Sequence, residues 1–421
     1  MPRTASPLRV YNCMTDADVA IVGAGLTGLR AALEVSRAGL SVLVIEKDSS
    51  VGGRLKTTHE NGATLDHGFQ VLLTGYPEFS TLPDLSPLGC RSFWSGARMR
   101  LDSEFVDLFD PLRHPSTILK SLYSPISSVG DLLKLFLFVQ SSNNRGAQER
   151  GESTAEALER IGFSELFKGA FLKPFLRGVL LDPLLLSDSG LAAFYLRTFS
   201  RGAAALPQKG IQAFPELLAS TLGRQHLLLD ATVANIAAGR VVLQNGDDIR
   251  ARKVICAVDA LSAAAIGGPE QTVPHVGTAT VYFLADRPPY TEPLIMLNSD
   301  ESGPINNLAV VSNVQPSYAP EGKALISASM IGDYARMPES ILMPKIRSQL
   351  HLWFGAQTAD WQHVRSFSIA NALPARARLQ NGWQEKNGVL YAGDYLSYGS
   401  QNGALAAGRN VAQHILEWAQ H

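Results

Sequence analysis

The sequence predicts an α/β fold: a Rossmann-like, dinucleotide-binding unit joined to a second, α+β domain. Three observations lead there. Gly23-Ala24-Gly25-Leu26-Thr27-Gly28 stands between a short apolar run and a helical stretch. A second apolar run follows and ends in an acid about 20 residues after the glycines, the spacing of a dinucleotide fingerprint. Residues 91–204 and 269–370 carry a different pattern, dense in apolar helices and alternating strands.

The elements of the first unit follow in order. Residues 18–22 form a short apolar run, as a strand buried on both faces should. The glycines come next, then a helical stretch over 29–38 closed by Gly39, then a strand over 41–45 leading to Glu46. Gly23 permits the tight turn, Gly25 lets a pyrophosphate approach the backbone, and Gly28 packs the helix onto the strand. The helix N-terminus, with Leu26 and Thr27, offers N–H groups and partial positive charge to phosphates. Glu46 is placed to accept from ribose hydroxyls, with Lys47 beside it. GxGxxG alone can be an ordinary glycine-rich turn; the flanking strands, helix and acid argue against that. The unit by itself does not distinguish NAD from FAD.

Composition narrows the function classes. The chain has 421 residues, with 37 Lys and Arg against 38 Asp and Glu, a formal net charge of −1. Nucleic-acid binding needs clustered excess cations, so no nucleic-acid partner is expected. Hydrophobic residues make up 46% and charged residues only 18%, against about 25% charged in soluble domains. Either an unusual share of the chain is buried, or apolar surface serves a greasy ligand or a membrane. Cys13, Cys90 and Cys256 form no CxxC pair and no ligand cluster, and no HExxH occurs. No metal is expected, and a reducing, cytoplasmic setting fits. Residues 1–14 lack the apolar stretch of a signal peptide and read as a disordered tail. No run of about 18 uncharged apolar residues suggests a membrane span.

The residues after Glu46 separate the cofactors. In Val51-Gly52-Gly53-Arg54, the two glycines allow a second close backbone approach and Arg54 can fork onto phosphate oxygens. A solvated surface turn is the plainer reading. Here the chain resembles the flavoprotein superfamily of monoamine oxidases, protoporphyrinogen oxidase and the phytoene desaturases. In that superfamily the arginine after the double glycine contacts the FAD pyrophosphate. The resemblance therefore implies FAD, held in a Rossmann-like domain of the GR2 type.

The likeness continues through Leu65-Asp66-His67-Gly68-Phe69-Gln70-Val71, a segment that in relatives passes beside the isoalloxazine ring. Its nearest pattern is that of bacterial desaturase-like oxidoreductases related to hydroxysqualene dehydroxylase. It implies that Gln70 and Val71 flank the flavin. Residues 206–211 resemble the loop that returns the chain to the FAD domain. Strands are then expected over 226–233, 240–244 and 248–257, with Asn245-Gly246 turning a hairpin. The residue matching Val233 pairs with adenine through its backbone in relatives. The last match is Val389-Leu390-Tyr391-Ala392-Gly393-Asp394, then Gln401-Asn402-Gly403-Ala404-Leu405. Gly393 and Asp394 are implied to contact the ribityl–phosphate end. A helix starting near Gly403, with Ala404 and Leu405, is implied to face the N1–C2 edge of the flavin. A helix N-terminus there stabilises negative charge by about 0.3–1 kcal/mol.

These pieces lie at the start, past the middle and at the end of the chain. The FAD domain is therefore expected to be discontinuous, over 15–90, 205–268 and 371–421. Residues 91–204 and 269–370 would form an inserted α+β substrate domain. There, 131–139 is a dense apolar helix, and Phe163, Phe167, Phe171 and Phe175 recur at even spacing. Strands are expected over 278–284, 308–312 and 324–330, and a helix over 338–354. Such apolar stripes are usually core. In relatives acting on polyprenoids this segment lines the substrate cavity or touches lipid.

Amine oxidases of the superfamily place a lysine at the start of the strand aligned with 278–283, and an aromatic residue before the final Gly-Ala. No lysine occurs at 278–283, and Ser400 takes the aromatic's place. No second GxGxxG offers a separate NADPH site. The expectation is an FAD-dependent oxidoreductase removing hydride from an apolar, isoprenoid- or carotenoid-like substrate. Oxygen, a quinone or a protein would accept the electrons, and the protein would touch a membrane peripherally. The alternatives are a flavin amine oxidase, a protoporphyrinogen-oxidase-like enzyme, and a prenyl-protein carrier of the GDP-dissociation-inhibitor type. The carrier would be expected to lose the Gly-Gly-Arg and Gly-Asp contacts, which this chain keeps. His67, Tyr395 and Tyr398 are acid–base candidates because each adjoins a flavin-facing motif; a structural role is the plainer reading of His67.

Overall fold

A computed structural model describes residues 17–101, 103–109, 125–141, 150–270, 273–375 and 381–420. The tail expected at 1–14 lies outside the described residues.

The strand Ala17–Val22 is almost wholly buried and sits between two parallel neighbours, Val42–Ile45 and Asp248–Cys256. Leu227–Leu228 extends the sheet in parallel on one side and Val389–Ala392 on the other. Burial on both faces is why these segments read as continuous apolar runs. Antiparallel additions complete an 8-stranded sheet. Helix Leu26–Arg37 covers one face and packs closely against the last helix, Gln401–Ala419. A Cβ on Gly408 would lie 2.4 Å from the Thr27 carbonyl oxygen, and Thr27 Oγ1 donates to the Ala404 carbonyl at 2.9 Å. The two ends of the chain thus share one core.

A second, 7-stranded sheet takes strands Gly96–Leu101 and Glu104–Phe109 from the first half and five from His275 to Pro374. Helix Glu339–Phe354 backs it, with Leu342, Ile346 and Leu350 in one cluster with Val281, Phe283 and Met330. Helices Val129–Gln140, Thr154–Ile161, Lys173–Leu180 and Ser189–Arg201 form a third apolar body around Phe163, Phe167 and Phe194.

Some sequence expectations need correction. Residues 226–233 are not one strand. The chain pairs at Leu227–Leu228, turns with Asp230 in the left-handed region (φ 54°), and re-forms a strand at Val233–Ala237. Two sheet positions compete for this segment, and neither can use all of it. The strand placed at 308–312 is Ile305–Val310, because its pairing with Ala324–Ile331 begins earlier and a short helical turn starts at Val311. The strand Gln362–Pro374 was not anticipated and carries the second sheet past residue 370.

Candidate active site

Where the two sheets and the helical body meet, they enclose a cavity of about 1760 Å³. Pockets for one small ligand are usually about 300–1,000 Å³, so this one has room for a dinucleotide and a second molecule.

One arm runs over the first parallel strands. Helix Leu26–Arg37 begins at Gly25 with no side-chain cap and no acid in its first turn. Its first N–H groups therefore lack the partner that buried helix starts need. A Cβ on Gly25 would meet nothing within 4 Å, whereas one on Gly28 would lie 1.9 Å from the Gly23 carbonyl oxygen. Gly25 thus faces open space, and Gly28 locks the helix to the strand. Gly23, Leu26 and Thr27 line this arm, and Gly28 lies behind it. Glu46 is nearly buried: its Oε2 accepts from the Ala24 N–H at 2.7 Å and its Oε1 from Asp48 N–H at 3.1 Å. Lys47 and Val233 complete the wall.

The middle of the cavity is where distant segments converge. Arg54 Nη2 lies 2.6 Å from Asp394 Oδ2, and Nη1 donates to the Ala372 carbonyl at 2.7 Å. The Asp394 carboxylate raises the Arg54 pKa above its ordinary value, outweighing burial. Gln70 Nε2 donates to the carbonyls of His67 and Arg54 at 2.9 and 3.0 Å. Gly53, Val71 and Gly393 lie on the same wall.

The last helix begins at Gln401, two residues before Gly403, because Ser400 caps it: Ser400 Oγ accepts from the Gly403 N–H at 2.8 Å. Serine is among the strongest N-cap residues. The Gly403 N–H is thus already partnered, and Leu405 is buried in the core with Leu29 and Val411. Of Gly403, Ala404 and Leu405, only Ala404 reaches the cavity, joined by Ser400 and Gln401.

The acid–base candidates separate in the same way. His67 lines the cavity, stacked on Phe367 at 4.3 Å, with Nε2 at 2.9 Å from Thr58 Oγ1. Burial, then the charges of Lys56 and Arg365, push its pKa below the usual range. Tyr395 lines the cavity, its hydroxyl pushed up by burial. Tyr398 does not line it. Its hydroxyl takes a hydrogen bond from Asn402 Nδ2, and its ring sits edge-on to Phe194.

The structure adds residues that the sequence reading missed. Tyr76 and Tyr195 line the cavity beside Gly399–Gln401, and the Tyr195 hydroxyl donates to the Gly399 carbonyl at 2.9 Å. No local motif marks either. Asn306 and Asn307 were visible as a polar pair inside an apolar strand, a signal left unused.

An uncapped helix start, an open approach at Gly25, an anchored acid and an arginine at the turn suit the phosphates and ribose of FAD. Known proteins agree. The model of the family described as flavin containing amine oxidoreductase matches residues 26–416. Protoporphyrinogen oxidase 2 of Arabidopsis thaliana is 31% identical over 164 residues, 38% of this chain and 32% of that protein. A 4,4'-diapophytoene desaturase of Staphylococcus haemolyticus is 33% identical over 117 residues, 28% of this chain and 21% of that one. The matched parts span about a third or less of these curated relatives. Among solved structures, an oxidoreductase from Methanosarcina mazei superposes with a TM-score of 0.72 at 18% identity, covering 95% of this chain and 99% of its own. Cyclohexylamine oxidase from Brevibacterium oxydans gives 0.68 at 19%, covering 96% and 100%. At these identities the superpositions show a shared fold. With so much of its length matched by one family model, the chain belongs to the flavin containing amine oxidoreductase family, and FAD is its cofactor.

Proposed function

We propose that this protein dehydrogenates an apolar, isoprenoid-like substrate. The observation that carries the reading is the continuity of one cavity. Beyond Arg54 and Gln70 it opens into a wall that includes Leu132, Leu135 and Phe136 from one helix and Phe171, Phe175 and Phe199 from others. FAD, when bound, supplies the hydride acceptor. The chain's own residues bind, orient and exclude water. Each buried CH₂ of an isoprenoid contributes about 0.8 kcal/mol there. We assign the released proton to His67, which stands on the cavity wall near Gln70; burial keeps the Tyr395 hydroxyl protonated. Oxygen, a quinone or a protein carries the electrons onward. The names of the desaturase and protoporphyrinogen oxidase relatives support an apolar substrate.

Helix Val129–Gln140 turns Val129, Leu133 and Leu137 outward, while Leu132 and Leu135 line the cavity and Phe136, half exposed, sits at the edge between the two. We assign this outer stripe to peripheral membrane contact, with the body of the protein in the cytoplasm. Among the described residues no helix is long and apolar enough to cross a membrane.

The test is anaerobic mixing of the FAD-loaded protein with candidate substrates while the flavin colour is followed. Bleaching by isoprenoid polyenes, but not by putrescine or cyclohexylamine, is expected. Rapid bleaching by the amines alone would overturn the reading in favour of an amine oxidase.

A further inference from the structure

We infer that Leu181 is a specificity-determining residue: a strained backbone holds it at the end of the apolar chamber, where its side chain limits the length of the chain that the chamber takes. This deepens, and rests on, the apolar-substrate reading above. Helix Lys173–Leu180 ends at Leu181, whose φ of 50° and ψ of 30° lie in the left-handed region. Helices that end this way usually place glycine there, because a Cβ crowds the backbone. For a residue as bulky as leucine the conformation is an outlier. It persists only where the surroundings over-determine it, and here they do. The Leu181 and Asp182 N–H groups both donate to the Arg177 carbonyl. The Asp182 carboxylate accepts from the Leu184 N–H, the Ser187 N–H and the Ser187 hydroxyl. Pro183 closes on Gly332, where an added Cβ would lie 2.8 Å from Pro183 Cγ.

Glycine would relieve the strain, so the leucine side chain needs a use that offsets it. Leu185, in the same loop, shows one such use: its φ is 53°, it is 2% exposed, and it packs in the cluster of Phe163 and Phe167. Leu181 belongs to none of the apolar clusters among the described residues. It lines the cavity instead. The stretch before it lines the cavity too, with Phe171, Phe175 and Gly178. Gly178 offers no side chain because the sheet packs against it: an added Cβ would lie 2.8 Å from Asn306 Nδ2. At a rise of 1.5 Å per residue, Leu181 stands about 9 Å beyond Phe175 along the helix. Pro183 then meets Gly332, the neighbour of Ile331 on the cavity wall. Leu181 is thus the last apolar side chain of the row, at the place where the helix ends against the sheet.

The test compares farnesol with geranylgeraniol, which share a head group and differ by one isoprene unit. Binding to the FAD-loaded protein is followed by quenching of tryptophan fluorescence, Trp94 being part of the cavity wall. Leu181→Gly should shift the ratio of the two affinities about tenfold towards geranylgeraniol. Its denaturation midpoint should be no lower than that of the unmodified protein, since the strain is relieved. Leu185→Ala, the core counterpart, should lower the midpoint and leave the ratio as it was. A ratio unchanged in Leu181→Gly, a lowered midpoint in that variant, or an equal shift in Leu185→Ala makes Leu181 a packing residue. Any of these overturns the inference and leaves the apolar-substrate reading standing. Binding of neither probe by the unmodified protein overturns both.

Discussion

Arg54 and Asp394 stand 340 residues apart in sequence and 2.6 Å apart in space. Each belongs to a motif that is short and ambiguous alone. Their pairing puts a forked donor and an acid at the turn of the cavity, between its dinucleotide arm and its apolar chamber. Charge-assisted hydrogen bonds of this kind contribute about 1.5–3 kcal/mol. Arg54→Ala should therefore weaken FAD binding about 10- to 100-fold, with the protein purified pale and its fold retained. Arg54→Lys, which keeps charge without the fork, should recover part of the loss. Flavin content and a dissociation constant by titration of the apoprotein check this; unchanged occupancy in the alanine variant would refute the role. At the same scale, Tyr398 shows why adjacency in sequence misleads. It lies next to a motif expected to face the flavin, yet its hydroxyl is taken by Asn402.

Among the elements, helix Val129–Gln140 carries the sharpest prediction. Its Ser128 and Asp131 form a reciprocal capping box. Burial would push the Asp131 carboxyl up, but hydrogen bonds from Ser128 and Ser164 hold it down to about 2. The helix start is thus firmly built, while Leu133 and Leu137 on its outer face are 58% and 59% exposed. If that face rests on lipid, Leu133→Glu with Leu137→Glu should lower co-sedimentation with phospholipid vesicles about tenfold or more, leaving flavin content unchanged. Equal sedimentation would remove the membrane assignment. The phenylalanine repeat shows a different lesson. Residues four apart drift around an α-helix of 3.6 residues per turn. A π-turn at Lys168–Leu172 absorbs the drift. Phe167, Phe171 and Phe175 consequently keep to one row, their ring centroids 5.5 and 5.6 Å apart, while Phe163, just before the helix, and Phe199 extend the row at 5.7 and 5.0 Å.

Over the whole molecule, Asp66 ties distant segments together. Its carboxylate accepts from Thr57 Oγ1, the Ile211 N–H and the Tyr318 hydroxyl. Burial outweighs these bonds and raises its pKa to about 6. A raised acid pKa means that the folded state holds the proton more tightly than the unfolded one. Its stabilising contribution is full below the unfolded value of 3.8 and is lost as pH rises through about 6. The stability of the protein relative to an Asp66→Asn variant should therefore increase by about 1 kcal/mol between pH 7.5 and pH 5. Denaturant titrations at the two pH values measure it; a constant difference would contradict the assignment.

The sequence by itself determined the dinucleotide unit, the double-glycine arginine and the closing Gly-Asp. Each of these is local: a turn that only glycine allows, or a strand apolar on both faces. That the two ends of the chain share one core was legible too, because related motifs recur at both ends. Only the tertiary structure decided which residues share the cavity. It brought Tyr76, Tyr195, Asn307 and Ser329 to the wall, withdrew Gly403, Leu405 and Tyr398 from it, and split 226–233 between two sheet positions. The physical reason is one of range. A glycine turn or helix cap is fixed by the few residues around it, whereas lining a cavity depends on strand register, a bulge and helix packing among segments hundreds of residues apart.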